Sequence, residues 1–230
     1  MRPDRKFGER LRRFFTPTKL QAISDGDTPP GFTVLSGNYF KVANKLRVVA
    51  EGDTAPVATA GFVFAAVIMY MAAFEAFLQE CLTLSLYSLE VQKEANDTIR
   101  LLEQLKVQSK PYNDFKVWLR RVYAIYDRKG IGLDTDSDEY QNLLALRELR
   151  NSVAHYNPLF VGHMMWPARL EQTLHRSKIE VVNSGWTNNF GCVEIATWAH
   201  DTVRAAVLTF CQLSGAANPF EMHPPTQSWD

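Results

Sequence analysis

Four polar side chains suited to phosphate chemistry lie close together in the second half of the chain. The segment LRELRNSVAHYNP places Arg147, Arg150, Asn151 and His155 near the end of a predicted helix, which the following Asn-Pro pair stops. Arg147, Asn151 and His155 share one stripe of this helix because each is four residues from the next. Histidine transfers protons near neutral pH and arginine holds phosphate oxygens, so this segment is the strongest candidate for a catalytic site.

A structural interpretation of the same residues is also open. Cations are favoured at the C-terminal end of a helix because the helix dipole is negative there, and Arg150 would then pair with a buried acid. Chance alone does not explain the motif well: from the 15 Arg, 11 Asn and 5 His of the chain, the pattern R-N-x-x-x-H is expected about 0.02 times.

Other catalytic and metal-binding signatures are absent from the sequence. It contains none of the strings G-x-x-x-x-G-K-[ST], G-x-G-x-x-G, G-x-S-x-G or H-E-x-x-H, which are typical of nucleotide binding, serine hydrolysis and zinc proteolysis. Its five histidines form no H-x-x-x-H pair, and those other than His155 are expected to be surface or hydrogen-bonded residues. Cys81, Cys192 and Cys211 form no C-x-x-C pair. We therefore expect no protein-built metal site, no cofactor, and reduced thiols in a cytoplasmic protein.

The motif Arg150-Asn151-x-x-x-His155 resembles the R-N-x-x-x-H signature of HEPN domains, all-α bundles common among prokaryotic ribonuclease toxins and defence proteins. Glu75, within the apolar stretch MAAFEAFLQE, is similar to the acidic residue that such domains carry in an early helix. The resemblance covers about residues 54–214. It implies a metal-independent endoribonuclease that acts as a homodimer with a composite active site, serving as a toxin or antiphage defence effector under an antitoxin or another regulatory partner.

The resemblance also implies a role for each site residue. RNA supplies its own nucleophile, the 2′-hydroxyl, so cleavage needs a proton-transfer group and a cation for the developing phosphorane charge. His155 would transfer the proton, Arg150 would hold the charge, and Asn151 would orient the phosphate or the imidazole. Glu75 would hold the Arg150 side chain in place, because a carboxylate on an apolar helix needs a partner. Arg147 would either contact phosphate or lie in solvent.

Two other functions stay open. A HEPN-like module that has kept the fold without catalysis would serve in dimerisation or RNA binding. Residues 55–74, APVATAGFVFAAVIMYMAAF, carry no charge and are long enough to span a bilayer, which would suit a membrane-inserted toxin. We expect a buried core helix and no membrane partner, because much of the run is Ala, Gly and Thr and because Glu75, Gln79 and Glu80 follow it.

The charge distribution restricts how RNA would bind. The 25 Lys and Arg balance the 25 Asp and Glu, which excludes a protein that coats nucleic acid with a uniformly basic surface. Residues 1–19 carry seven basic and two acidic side chains, a local charge of +5, on a predicted amphipathic helix. This segment would bind RNA or a membrane surface, or would pack its Phe face on the body of the protein.

The hydrophobic pattern predicts an all-α protein, an antiparallel helical bundle of HEPN-like type. Apolar residues recur at helical spacing in six segments, 38–51, 56–89, 91–108, 111–130, 136–156 and 194–214. In the first of these helices the predicted core stripe consists of Tyr39, Val42, Ala43, Leu46 and Val49.

Local signals add caps, a hairpin and domain boundaries. Asp136 with Glu139 three residues later predicts a capping box, since DTDSDEY (134–140) lacks the central Gly and terminal Glu of a calcium loop. KIEVV (178–182) and CVEIA (192–196) predict a small β-hairpin before the last helix. We expect a basic segment, linker and helix over 1–53, the HEPN-like bundle over 54–215, and a loose tail over 216–230.

Overall fold

Helices make up most of the described part of the chain. The structure is a computed structural model and describes residues 35–53, 55–91, 100, 103–104, 115–127, 130–154, 168–179, 190–215, 218 and 220. These residues contain no strand, and their helices are α1 Ser36–Gly52, α2 Pro56–Val91, α3 Phe115–Tyr126, α4 Asp138–Ala154, α5 Ala168–Arg176 and α6 Val193–Ser214. The predicted all-α class is confirmed. The predicted helix within 1–19, most of that over 91–108, and nearly all of the tail lie outside the described residues.

The predicted β-hairpin is wrong at its second strand. Residues 193–196 form the first turn of α6, and Ile195, Ala196, Ala199 and Val203 are buried on one face of that helix. The short run CVEIA fits a strand and a helix equally well, whereas the longer run through Val203 fits only the helical period. Most of the first predicted strand lies outside the described residues.

Helix α5 was not predicted. Its sequence ARLEQTLHR buries Leu170 and Leu174, which are one helical turn apart, and its last turn carries His175 and Arg176 at the negative end of the helix dipole. In the sequence Pro167 stands immediately before Ala168, and a proline at this point is a signal that a helix begins nearby. These three signals together would have predicted the helix.

Helix α1 forms where predicted, but its predicted core stripe is only partly right. Ala43 of that stripe is buried, together with Phe40 and Ala50, whereas Val42 and Val49 of the stripe are 44% and 48% exposed. The reason is the aromatic side chain of Phe40, whose ring lies 5.5 Å from that of Tyr70 and so directs the Phe40 side of the helix inward.

Helix α2 is the longest of the described helices. Over Pro56–Leu86 its length and composition would allow it to cross a membrane, and 44% of this stretch is buried, so the expected core helix stays a prediction. The fully covered side chains lie on several sides of the helix: Val63, Ala66, Val67, Tyr70, Met71, Ala73, Phe74, Leu78 and Leu82.

The chain divides into two compact units, each assembled from separate stretches. The first unit comprises Met1–Ser36, Glu75–Asp134 and Val207–Asp230, and the second comprises Gly37–Phe74 and Thr135–Ala206. Helices α2 and α6 each contribute residues to both units. The domain boundaries drawn from composition, after residues 53 and 215, stay a prediction.

The first unit is built around the aromatic ring of Phe210 on α6. Its centroid lies 5.4 Å from that of Phe77, 5.2 Å from Tyr123 and 5.1 Å from Tyr126. The Tyr126 hydroxyl is hydrogen-bonded to Ser85 Oγ at 2.6 Å, which satisfies a polar group inside the core. In the same unit the Glu80 carboxylate accepts hydrogen bonds from the backbone N–H and the hydroxyl of Ser36, the first residue of α1.

The core of the second unit combines aromatic rings with the leucines of α4. The His200 ring lies 5.2 Å from Phe40 and 5.7 Å from Tyr70, and the Tyr70 hydroxyl donates a 2.7 Å hydrogen bond to Asn44 Oδ1. Leu143, Leu146 and Leu149 of α4 are buried, as is Leu170 of α5. Helix α4, which contains Arg150 and Asn151 of the R-N-x-x-x-H motif, is therefore held by an apolar face whose residues recur at helical spacing.

Replacing Phe210 with alanine should lower the free energy of unfolding by about 3–5 kcal/mol, because it empties the space between three aromatic rings. Urea denaturation followed by circular dichroism measures the change. Val57→Ala is the control, since that side chain is 85% exposed and its loss should change stability by less than about 0.5 kcal/mol. Equal effects of the two substitutions would contradict this description of the core.

Stability should also fall at alkaline pH because of Tyr70. Burial raises the pKa of Tyr70 from 10.0 to about 12, an effect that the nearby Arg47 partly opposes. The folded protein therefore holds the phenolic proton more tightly than the unfolded chain. The resulting stabilisation is complete below the ordinary pKa and is lost as pH rises towards the folded-state pKa, up to about 2–3 kcal/mol.

Urea denaturation of the wild type and of Tyr70→Phe, repeated from about pH 9 to about pH 12, isolates this contribution. The wild type should be the more stable protein at the lower pH, by about 1 kcal/mol for the Asn44 hydrogen bond, and should become the less stable one near pH 12, because the loss of about 2 kcal/mol exceeds that advantage. Parallel pH profiles for the two proteins would contradict the prediction.

Candidate functional site

Helix α4 carries the part of the predicted site that the structure describes. Arg147, Arg150 and Asn151 lie in its last two turns, all three half-buried, and the helix is described as far as Ala154. His155 lies outside the described residues. Arg150 is four residues, about 6 Å along the helix axis, from Ala154, the last described residue of α4.

The start of α4 differs by one residue from the prediction. Ser137 is the N-cap, because its hydroxyl accepts a hydrogen bond from the backbone N–H of Tyr140 at 3.3 Å, and the predicted capping box of Asp136 and Glu139 is wrong in register. The helix begins at Asp138, so Asp138 and Glu139 occupy its first turn, where the helix dipole favours acidic groups. Serine is as good an N-cap as aspartate, so N-cap propensity alone does not decide whether Asp136 or Ser137 caps the helix.

The two ends of α4 carry opposite charges. Asp138 and Glu139 lie at its start, and Arg147 and Arg150 lie near its end. Glu139 and Arg150 are eleven residues apart, which is about 16 Å along a helix. These two arginines are the cationic groups of α4, and they lie at the end where Glu148 and the negative end of the helix dipole also lie.

A cleft of the second unit lies at the acidic end of α4. It has a volume of about 610 Å³ and includes four carboxylates in its lining, those of Asp138, Glu139, Glu194 and Asp201. Three of these acids occupy the first turns of α4 and α6, where the helix dipoles already account for them. This cleft is therefore unsuited to phosphate and does not include the predicted site residues.

Glu148 and Arg169 are residues near the site that sequence reasoning missed. Glu148 lies between Arg147 and the buried Leu149, and its Oε1 accepts a 3.1 Å hydrogen bond from Arg169 Nη1 on α5. Both side chains are 32% exposed, so the ion pair is partly shielded from solvent. Arg169 offsets the charge of Glu148 and links α5 to α4. The sequence did not predict this ion pair, because the pattern after Pro158 is irregular and α5 itself was not predicted.

The proposed partnership of Glu75 and Arg150 joins residues of the two units and stays a prediction. Glu75 is half-buried on α2, and Glu75, Arg147 and Arg150 each interact with other groups of the chain. The sequence argument that a carboxylate on this apolar helix needs a partner is therefore satisfied for Glu75, without identifying that partner as Arg150.

His200 is hydrogen-bonded, as expected for a histidine outside the motif. Its Nδ1 lies 2.8 Å from Asp201 Oδ1, and its ring packs on Phe40 and Tyr70. These contacts give the imidazole a structural place in the core of the second unit. Among the described residues, no three His, Cys, Asp or Glu side chains lie close enough together to hold a metal ion.

Replacing Ser137 with alanine should destabilise the start of the motif helix by about 1 kcal/mol, because the Tyr140 N–H then loses its acceptor. Ser137→Asp should preserve stability, since aspartate accepts the same hydrogen bond and also suits the helix dipole. Urea denaturation of both variants measures the difference, and an alanine variant as stable as the aspartate variant would rule out the cap.

Comparison with known proteins does not place the chain in a family. No protein-family model, no curated protein and no solved structure matches its sequence or its fold.

Proposed function

We propose that the protein is a HEPN-like, metal-independent endoribonuclease that acts as a toxin or antiphage defence effector in the cytoplasm. The observation that carries the proposal is the placement of Arg150 and Asn151 of the R-N-x-x-x-H motif in the last turns of α4, within an all-α protein. The two arginines of α4 support it, because both lie in the part of the helix that carries the motif and are suited to contacting phosphate.

The chemistry follows from the three motif residues. The RNA 2′-hydroxyl oxygen attacks phosphorus, the bond from phosphorus to the 5′-oxygen breaks, and a 2′,3′-cyclic phosphate remains. His155 in its protonated form donates a proton to the departing 5′-oxygen, while an unprotonated His155 in the other subunit of a dimer accepts the 2′-hydroxyl proton. The Arg150 guanidinium stabilises the charge that develops on the phosphoryl oxygens. Asn151 orients the phosphate or an imidazole through its amide.

A homodimer suits the placement of these groups. On an ideal helix, Arg150 and His155 point about 140° apart, so a single helix does not direct both at one phosphate. Two motif helices meeting at one cleft supply both residue types from two directions. Glu75 and Arg147 are assigned supporting roles, the first in positioning Arg150 and the second in contacting phosphate. An antitoxin or another regulatory partner would restrain the activity in the cell.

The test is cleavage of total RNA by the purified full chain in EDTA. His155→Ala should lower the cleavage rate by about 10²–10⁴-fold, the usual contribution of a general acid or base. Arg150→Ala should lower it by about 10²-fold or more, through lost charge stabilisation. Circular dichroism of each variant separates lost chemistry from lost folding.

Matched control variants are available on α5. His175→Ala and Arg176→Ala remove an exposed histidine and an exposed arginine outside the motif, and they should leave cleavage unchanged. Abolition of wild-type activity by EDTA would contradict the metal-independent mechanism. RNA binding without any cleavage would instead identify a non-catalytic HEPN-like module, and recovery of the protein only in detergent would favour a membrane-inserted toxin.

A further inference from the structure

The cleft at the acidic end of α4, hereafter the acidic cleft, has two buried polar atoms in its wall that no described group satisfies. Trp198 and Thr202 line the cleft and are only 7% and 4% exposed. Among the described residues, neither Trp198 Nε1 nor Thr202 Oγ1 has a hydrogen-bond partner. A buried polar atom without a partner costs free energy, so folded proteins rarely keep one without a reason. A ligand in the cleft would supply both partners.

Both residues lie on the side of α6 that faces the cleft. On an ideal helix, the positions of Glu194, Trp198, Asp201 and Thr202 fall within about 100° of one another, and all four residues line the cleft. The core face of α6, which includes the buried Val203, lies on the opposite side of the helix. The Trp198 and Thr202 side chains therefore belong to the wall of the acidic cleft.

The charges of the cleft indicate the charge of its ligand. The lining includes four carboxylates and neither lysine nor arginine: Asp138, Glu139, Glu194 and Asp201. Arg176 is paired with Asp138 at 3.4 Å, and the His200 ring is hydrogen-bonded to Asp201 at 2.8 Å. In the part of the chain that the structure describes, no ion pair neutralises Glu139 or Glu194. The cleft is therefore negatively charged and attracts cations.

The spacing of the carboxylates favours an extended ligand over a single ion. Glu194 and Asp201 are seven residues apart on α6, which is about 10 Å along the helix axis. No three of the described His, Cys, Asp or Glu side chains lie close enough together to hold one metal ion. A ligand that matches this spacing carries several cationic groups along its length.

The unpartnered atoms narrow the choice of ligand further. The indole N–H of Trp198 only donates a hydrogen bond, so it needs an acceptor, which the ammonium groups of a simple polyamine do not provide. A basic peptide has both kinds of group. Its Lys or Arg side chains match the carboxylates, and its backbone carbonyl oxygens accept hydrogen bonds.

We propose that the acidic cleft binds a short basic peptide segment of a partner protein. Lys or Arg side chains of the segment bind the carboxylates, one of its carbonyl oxygens accepts a hydrogen bond from Trp198 Nε1, and one of its backbone N–H groups donates to Thr202 Oγ1. The cleft volume of about 610 Å³ is that of a typical ligand site. The proposal concerns the other end of α4 from the R-N-x-x-x-H motif and does not depend on ribonuclease activity.

The probe is a fluorescently labelled peptide of alternating Arg and Gly, with a peptide of alternating Glu and Gly as its matched control. Fluorescence anisotropy with the full-length protein should show the Arg peptide binding at least about 10-fold more tightly. E139Q/E194Q should weaken binding of the Arg peptide by at least about 10-fold. E51Q/E171Q removes as many charges from exposed acids outside the cleft, and it should bind the Arg peptide like the wild type.

Spermine separates a peptide site from a general polycation site, because it is a linear polycation without a carbonyl oxygen. Displacing the labelled Arg peptide should take an at least about 5-fold higher concentration of spermine than of unlabelled Arg peptide. Equally effective displacement by spermine would overturn the proposal. Equal binding of the Arg and Glu peptides would also overturn it, as would unchanged binding by E139Q/E194Q.

Thr202→Val and Trp198→Phe test the two unpartnered atoms. Each should weaken binding of the Arg peptide by about 5- to 10-fold, through one lost hydrogen bond. Thr202→Val should leave the urea denaturation midpoint of the free protein unchanged or raise it, because the hydroxyl it removes has no described partner. A lower midpoint with unchanged peptide binding would show a purely structural role for the Thr202 hydroxyl and would contradict the proposal.

Discussion

Helix α2 contains a stretch of some 30 residues, Pro56–Leu86, that is apolar enough to cross a membrane, and its buried side chains, on several sides of the helix, are the constraint on which both cores depend. Its residues before Glu75 belong to the second unit and those from Glu75 onward belong to the first, so both cores are built on this one helix. In the first unit α2 contacts Phe210 through Phe77 and Tyr126 through Ser85, and in the second it contacts Phe40 and His200 through Tyr70.

The polar groups near these apolar contacts follow from the same constraint. A buried tyrosine hydroxyl needs a partner, and Ser85 and Asn44 provide one for Tyr126 and Tyr70. Glu80 lies on α2 itself, and its carboxylate accepts hydrogen bonds from the backbone N–H groups of Leu35 and Ser36 at the start of α1. Helix α4 is held in the second unit by its leucines and joined to α5 through Glu148 and Arg169, which leaves the motif residues Arg150 and Asn151 half-buried.

Long apolar periodicity was enough to predict α2 and α6, whose core residues Ala199, Val203, Ala206, Val207 and Phe210 are all buried as expected. Short patterns were less informative, because CVEIA fits two secondary structures and Ser137 competes with Asp136 as the cap. The buried face of α1 was only partly predicted, because the sequence offers apolar residues on two adjoining sides: Phe40 and Ala50 are buried with Ala43 of the predicted stripe, whereas Val42 and Val49 are exposed. The side of α1 that carries the Phe40 ring is the side that packs into the core. Which of the two apolar sides is exposed becomes clear only from the three-dimensional structure. The charges near the motif, Glu148 and Arg169, are 21 residues apart, so no local pattern connects them.

The proposed ribonuclease mechanism makes one chemical outcome unavoidable, because the nucleophile is the 2′-hydroxyl of the RNA and not water. The chemical nature of the RNA ends produced by the purified protein in EDTA is therefore the most direct measurement. The mechanism predicts fragments with 2′,3′-cyclic phosphate and 5′-hydroxyl ends, and no cleavage of a strand carrying a 2′-deoxy sugar at the cut site. Fragments with 5′-phosphate and 3′-hydroxyl ends, or cleavage of the 2′-deoxy strand, would contradict it.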